Sequence, residues 1–341
     1  MFALFSIRVK HASCAAIVMA LLPFTANAEP EKLKFAFFAS DREFAYSGVV
    51  KPFVDAVNPE SKGLIEIAVY PGGALGRTYA QQAQLVLSGV ADMAWVHPAL
   101  TPEQFPDNAV LELPGMFRDA AEASRIFSQL ANAGILKGYE DFFVIAAIGS
   151  DPVNIHTRTP IASLADLTGK KIRTSSRTEG AVLKALGAEP EVMPINEVAN
   201  AINAGTIDGA TASLEVLTDF GISRFATFHY LLNVGTIPLL IPMNRKKFES
   251  LPAGAQEAIR KYSGQWPTKR YIDTVAAYDA EILEKLKSDP RRKVIIPSDQ
   301  DIAAARAVYD SVATQWAEAS PRNGELLKIV KMEIAKMRST R

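Results

Sequence analysis

The sequence predicts an α/β fold arranged as two lobes. Three features carry that expectation. Short apolar runs alternate with stretches of helical spacing from residue 33 onward, a second such alternation begins near Phe142, and one long helical stretch follows both.

Residues 33–39 (LKFAFFA) read as a strand, and residues 44–57 place Phe44, Val49, Val50, Phe53, Val54 and Val57 at helical intervals. Residues 64–70 (LIEIAVY) form a second strand closed by Pro71-Gly72-Gly73, residues 78–87 a helix, and residues 91–96 (ADMAWV) a third strand. A βαβαβ order of this kind predicts parallel pairing with right-handed crossovers. The second set has strands at 142–148, 153–156, 171–173, 191–193 and 209–212, with helices over 177–186 and 197–204. Strands at 228–232 and 236–243 are expected to lead back to the first sheet. From 253 to about 287, Ile259, Tyr262, Trp266, Tyr271, Val275, Tyr278, Ile282 and Leu286 keep near-helical spacing, and Pro267 is expected to kink or interrupt the helix. A last strand at 294–296 and helices over 302–319 and 326–337 close the chain. The expected division is a first lobe over 29–150, the main part of a second lobe over 151–232, a return to the first lobe over 233–252, a kinked helix spanning both over 253–288, and a C-terminal strand and helices over 289–341.

The N-terminus reads as an export signal. Arg8 and Lys10 are the only Lys, Arg, Asp or Glu residues before Glu29, an apolar run follows over 15–24, and Ala26-Asn27-Ala28 fits a cleavage site. The run is short for a membrane span, which needs about 20 residues. Cys14 precedes the run, so a lipoprotein reading is rejected. With a signal peptide over 1–28, the rest of the chain is expected in the periplasm or outside the cell. It then carries no cysteine, hence no disulfide, thiolate nucleophile or Cys-ligated metal.

The 37 Lys and Arg residues balance 37 Asp and Glu, and loss of Arg8 and Lys10 leaves a net charge of −2. There is no basic stripe, and nucleic acid is not an expected partner. His97, His156 and His229 are scattered, without an H-E-x-x-H pair, and neither a G-x-S-x-G elbow nor a Walker A loop occurs. No metal, no cofactor and no enzymatic activity are expected. The segment from Pro71 to Gly76 lies between a strand and a helix but lacks G-x-G-x-x-G spacing, so a tight turn is favoured over a phosphate cradle.

Arg173 ends the short strand at 171–173. Three residues on, Ser176 begins a helix with Glu179 at the capping-box position, so a guanidinium lies beside a helix N-terminus. Both favour an anion, and the guanidinium fork suits a carboxylate. On pattern alone a surface arginine at a strand end is the slightly favoured reading.

The surrounding motifs resemble those of the DctP-type solute receptors of TRAP (tripartite ATP-independent periplasmic) transporters. They are Asp166-Leu167, Gly169-Lys170-Lys171-Ile172-Arg173, Leu186-Gly187-Ala188-Glu189-Pro190, Met193-Pro194-Ile195-Asn196-Glu197-Val198 and Gly205-Thr206-Ile207-Asp208-Gly209-Ala210. Upstream, Gly63-Leu64-Ile65-Glu66-Ile67, the Tyr70 to Gly76 turn, Ser88 to Ala94 and Leu113-Pro114-Gly115-Met116-Phe117 are similar to the family's first lobe. Downstream, Met243 to Phe248 with Leu251-Pro252 fits as well. Each motif alone is weak; their order and spacing along nearly the whole chain after the leader are specific.

The resemblance implies a two-lobe periplasmic-binding-protein-like fold, with a ligand cleft between the lobes and a long C-terminal hinge helix. It implies a monomeric receptor that closes on a small organic acid and presents it to the small and large permease subunits of a TRAP transporter. The family's carboxylate-clamping arginine matches Arg173. The other cleft positions it implies are Phe38, Arg77 or Thr78, His97, Ser176, Ile195 and Ala212; Trp95 faces either cleft or core. Three departures matter. Many members carry a second arginine where this chain has Asp151-Pro152-Val153, an asparagine where Ala212 stands, and a polar residue where Phe38 sits. A more apolar cleft with one fewer cation leans toward a monocarboxylate with an apolar body, or an oxo acid. Rival readings are a receptor of an ABC importer, a periplasmic enzyme on a two-lobe fold, and a ligand sensor without transport.

Overall fold

The computed structural model describes residues 29–339, so the signal peptide expected over 1–28 lies outside the described residues. The first of two sheets holds β1 (Glu31–Ala36), β2 (Ile65–Tyr70), β3 (Met93–Ala94), β4 (Phe142–Gly149) and β10 (Pro238–Asn244), in the order β2-β1-β3-β10-β4. β1 pairs in parallel with β2 and β3, as the βαβαβ pattern predicts, and β10 runs antiparallel to β3 and β4. Both faces are covered. Leu33 and Phe35 point into one apolar cluster and Ala36 into another. A π-helical turn over Tyr46–Val50 continues into α1 (Lys51–Glu60), which buries Phe53, Val54 and Val57 in the first of these clusters. α2 (Gln82–Leu87) and α3 (Ala120–Asn132) cover the other face.

The second sheet holds β5 (Asn154–Thr157), β6 (Lys171–Thr174), β7 (Glu189–Val192), β8 (Gly209–Ala212), β9 (Phe228–Tyr230) and β11 (Lys293–Ile295), in the order β11-β9-β5-β8-β6-β7. Its helices are α4 (Arg177–Ala185), α5 (Ile195–Ala204) and the short α6 (Leu214–Asp219). Asp208 ties the centre of this sheet: its carboxylate accepts from the Lys171 N–H at 3.0 Å, and its own N–H donates to the Lys171 carbonyl at 2.8 Å. Gly209 follows because β5 passes too close for a side chain. A methyl group there would stand 2.3 Å from the His156 carbonyl oxygen and 2.9 Å from Thr157 Cα. Gly209→Ala is therefore expected to lose about 1–3 kcal/mol through overpacking against backbone, read as a lowered urea midpoint; an unchanged midpoint would count against this account.

Two antiparallel segments join the sheets. The Ser150 N–H donates to the Ile237 carbonyl and the Ile237 N–H to Ser150 Oγ, both at 2.9 Å. The Val153 N–H donates to the Gly235 carbonyl at 2.9 Å, and the Val234 N–H to the Val153 carbonyl at 3.0 Å. The paired backbone satisfies its own polar groups as it crosses.

The region from 245 to 288 corrects one expectation. After α7 (Arg245–Ser250), the stretch read as a single kinked helix is two, α8 (Ala253–Lys261) and α9 (Gln265–Ser288). The break falls at Gly264, whose φ of +68° ends helical geometry. Pro267 sits in the first turn of α9, where its missing N–H would have no helical partner in any case, so it interrupts nothing. α9 buries Tyr271 and Val275 in a cluster of the first sheet, and Ile282 and Leu286 in a cluster of the second. α10 (Asp299–Glu318) also reaches across, α11 (Pro321–Ser339) packs on the first lobe, and Arg338 anchors α11 by a two-pronged contact to Glu122 at 2.7 and 2.8 Å.

Candidate functional site

A cavity of about 290 Å³ opens where the two sheets face each other. The first sheet's side contributes Phe38, Glu43, Phe44, Arg77, Tyr79, Trp95 and His97. The second contributes Arg173, Ser175, Met193, Ile195, Ala212, Glu215 and Phe220, β10 of the first sheet adds Leu239, and the crossing elements add Ile237 and Tyr271. The rings of the wall pack in pairs. Phe38 packs on Tyr79 at 4.5 Å between centroids, Trp95 on Phe37 at 6.2 Å, and Phe44 against Tyr271 at 5.7 Å.

Arg173 is the principal charge in this wall. It is 5% exposed, and among the described residues no carboxylate forms an ion pair with it. Its Nε donates to the Met193 carbonyl at 2.9 Å and Nη1 reaches the Thr211 carbonyl at 3.5 Å. The carbonyls at the ends of β7 and β8 thus orient the fork, and Nη2 has no acceptor among the described residues. Burial lowers its pKa to about 10, with Glu179 opposing the shift, so the group stays cationic at neutral pH. His97 lies nearby. Burial first, then the Arg173 charge, push its pKa down to about 3, so the ring is neutral. Its Nε2 is buried without a partner. A buried cation without a counter-ion and a buried imidazole nitrogen without a partner are both costly unless a ligand completes them. A carboxylate can accept the fork of Arg173.

A second polar region is acidic. Glu43 follows β1, is 9% exposed, and accepts from the Ala45 N–H at 3.0 Å through Oε2. Burial, then Asp219, raise its pKa to about 8. Glu215, in the first turn of α6, accepts from Ser213 Oγ at 2.7 Å and Tyr271 OH at 3.4 Å. Asp219 at the end of α6 accepts from the Phe44 N–H at 2.8 Å and from Tyr278 OH at 3.0 Å, which ties the two sides of the cavity and α9 together.

Seven of the eight residues expected from the sequence line this cavity: Phe38, Arg77, Trp95, His97, Arg173, Ile195 and Ala212. Trp95 is 2% exposed and belongs to both core and cavity wall. Arg77 is exposed at the rim. Ser176 is the exception and is corrected here. Its Oγ caps α4 by accepting from the Glu179 N–H at 3.2 Å, and its hydroxyl faces Glu112, so it is spent on the fold while Ser175 lines the cavity. The capping box differs too: Glu179 reaches back to the N–H and Oγ of Ser175, at 2.6 and 2.7 Å, rather than to Ser176. Sequence reading passed over Glu43, Glu215 and Phe220, which carry no motif of their own, and placed Tyr271 only in an apolar stripe.

His156 and His229, distant in sequence, meet across β5 and β9 with Nδ1 to Nδ1 at 3.0 Å. His156 Nε2 lies 3.2 Å from the Ala212 carbonyl and must donate to it. His156 Nδ1 therefore accepts from His229 Nδ1–H, and His229 Nε2 is left buried without a partner. Among the described residues no group of three or more His, Cys, Asp or Glu is placed to hold a metal ion. In the turn from Pro71 to Gly76, the N–H groups of Gly72 and Gly73 donate to the Ala39 and Phe37 carbonyls, at 2.7 and 3.2 Å.

Comparison with known proteins gives a consistent answer. The chain is 24% identical to the 2,3-diketo-L-gulonate-binding periplasmic protein YiaO of Escherichia coli, over 95% of this chain and 98% of that protein. It is 25% identical to the C4-dicarboxylate-binding periplasmic protein DctP of Rhodobacter capsulatus, over 91% and 94%. Among solved structures, it resembles a marine-metagenome TRAP solute-binding protein specific for aromatic acids, in complex with 3-hydroxybenzoate. That match has a TM-score of 0.83 and 27% identity, covering 91% of this chain and 99% of that one. A TRAP solute-binding protein from Rhodoferax ferrireducens with copurified benzoate matches with a TM-score of 0.82 and 26% identity, over 91% and 99%. Residues 35–319 match the family described as bacterial extracellular solute-binding protein, family 7, and the chain belongs to that family of carboxylate-binding TRAP receptors.

Proposed function

We propose that this chain is the periplasmic receptor of a TRAP transporter and that its cargo is an aromatic monocarboxylate, bound and released unchanged as a monomer and delivered to the small and large permease subunits. The observation that carries this reading is the buried guanidinium of Arg173, without a counter-ion, facing a cavity walled by Phe38, Phe44, Tyr79, Trp95, Phe220 and Tyr271. One cation suits one carboxylate. Where the resemblance implies a second arginine, the chain has Asp151-Pro152-Val153, which leaves a dicarboxylate with one end unpaired. A cavity of about 290 Å³ sits at the small end of the roughly 300–1,000 Å³ typical of ligand pockets and fits a single ring with a short substituent. The neighbours described with 3-hydroxybenzoate and benzoate support the same class.

In the mechanism this implies, the ligand carboxylate meets Arg173 and His97 while its ring enters the aromatic wall from the other lobe. The closed form makes both sets of contacts and the open form only one, so ligand shifts the population toward closure.

The test is a thermal-shift screen of residues 29–341 against benzoates, phenylacetates and mandelate, with C4-dicarboxylates, uronates, 2-oxo acids, sugars and amino acids alongside. A ligand that binds only the native state raises the midpoint by mass action. The expected result is a shift with aromatic monocarboxylates and their recovery unchanged after incubation. A shift with dicarboxylates or uronates alone would refute the cargo class.

A further inference from the structure

The cavity is polar at a second place, away from Arg173, and this bears on which aromatic acids it takes. Glu43 lies on the first lobe and Arg173 on the second, and both line the same cavity. The neighbouring charges that act on Glu43 are Asp219 and Glu215, both acidic; those that act on Arg173 and His97 do not include Glu43. Its Oε2 accepts from the Ala45 N–H at 3.0 Å, the Tyr46 N–H also acts on the carboxyl, and no side chain among the described residues is hydrogen-bonded to Oε1. Its position is held firmly, because the next residue, Phe44, donates its N–H across the lobes to Asp219 at 2.8 Å.

We propose that Glu43 is a specificity-determining residue: its free carboxyl oxygen receives a hydroxyl group carried by the ligand ring, so the receptor selects hydroxylated aryl acids over the bare acid. This rests on the aromatic-acid reading above and deepens it. With a pKa of about 8 the carboxyl is mainly protonated at neutral pH. A neutral carboxyl suits a neutral hydroxyl, since each can donate and accept, whereas it offers a ligand ammonium no counter-charge. A ring held by its carboxylate on one lobe and its hydroxyl on the other bridges the cleft, and that contact exists only when the lobes are closed. The bare acid leaves the Glu43 oxygen desolvated and unpartnered, which is the penalty that produces discrimination.

The experiment is titration calorimetry of the full chain after the leader with benzoate, 3-hydroxybenzoate and 4-hydroxybenzoate, for the native protein, Glu43→Gln and Glu43→Leu. The native protein is expected to bind at least one hydroxy isomer about tenfold or more tightly than benzoate. Glu43→Leu is expected to lose the hydroxyl preference and, by relieving that penalty, to bind benzoate as tightly as the native protein or more tightly, while its ligand-free unfolding midpoint reports that it folds. Glu43→Gln is expected to keep part of the preference. Equal affinity for all three acids in the native protein, or a preference that survives Glu43→Leu, overturns the role of Glu43 while leaving the aromatic cargo in place. Binding of none of the three, alongside binding of another acid class, overturns the cargo and this inference together.

Discussion

Arg173→Ala is expected to lower affinity for the carboxylate ligand by about 30-fold to several thousand-fold, the equivalent of about 2–5 kcal/mol for removing one partner of a buried charge pair. The size follows from burial. At 5% exposure the site replaces the water that would solvate a carboxylate, and no other arginine or lysine shares the inner wall; Arg77 stands exposed at the rim. Truncation leaves the ligand's charge desolvated beside His97, and burial, the larger cause of that ring's lowered pKa, still favours its neutral form once the cation is gone. Arg173→Lys should recover only part of the loss, since an ammonium cannot both reach the Met193 carbonyl, as Nε does at 2.9 Å, and present a fork to the ligand. A second readout separates a clamp from a structural residue. In the empty protein Arg173 is a buried cation without a counter-ion, so Arg173→Ala should leave the ligand-free unfolding midpoint unchanged or raise it, while abolishing the ligand-induced shift. A loss of less than about threefold in affinity, or a collapse of the ligand-free midpoint, would remove Arg173 from the clamping role.

The fold was legible in the sequence because it rests on local signals: the apolar runs of β1, β2 and β4 declare themselves by period. Arg173 did not, since its local pattern fits a surface arginine slightly better, and only the family motifs around it single it out as a clamp. α3 was not declared in the same way, although its Asp119 cap accepts from the Glu122 N–H at 2.7 Å. The break between α8 and α9 was misplaced because proline is the stronger local warning, whereas the structure turns at Gly264 and accommodates Pro267 in a first turn. Ser176 reads as a helix cap in the sequence and is a cleft position only by the family resemblance; the fold shows its oxygen in use as the cap. Glu43, Glu215 and Phe220 line the cavity through long-range placement, and a buried carboxyl has no sequence signature apart from the neighbours that bury it.

The unfolding midpoint of the ligand-free protein is expected to have a plateau between about pH 4.5 and 6.5 and to fall on both sides, most steeply toward alkaline pH. Glu43 and Glu112 are raised from 4.5 to about 8, burial being the main cause for each. Glu215 on α6 and Asp279 on α9 are also raised, both mainly by burial; the Glu215 charge raises Asp279 further, while the hydrogen bond from Asp279 lowers Glu215. Glu215 Oε2 and Asp279 Oδ1 are both buried without a donor, and one proton held between the two carboxyls satisfies both oxygens. A group whose folded pKa is raised binds protons more tightly when folded. Its contribution is complete below the unfolded value and drains away as pH rises through the folded one. These four carboxyls therefore lose stability progressively from about pH 4.5 to 8 and beyond. His97, His156 and His229 act oppositely. Burial depresses them from 6.5 to about 3, 4 and 3, so their contribution is complete above 6.5 and is lost as pH falls toward those values. Between 4.5 and 6.5 the two trends oppose each other. Above 6.5 the carboxyls act alone, and each pKa unit of difference corresponds to about 1.4 kcal/mol. Removing the charge at the facing pair, as Glu215→Gln with Asp279→Asn, should make the alkaline limb shallower, with Glu43 and Glu112 still contributing to it, and leave the acid limb in place. A midpoint that stays level or rises from pH 6.5 to 9 would mean these carboxyls are ionised in the folded protein, and the shared proton between α6 and α9 would have to be abandoned.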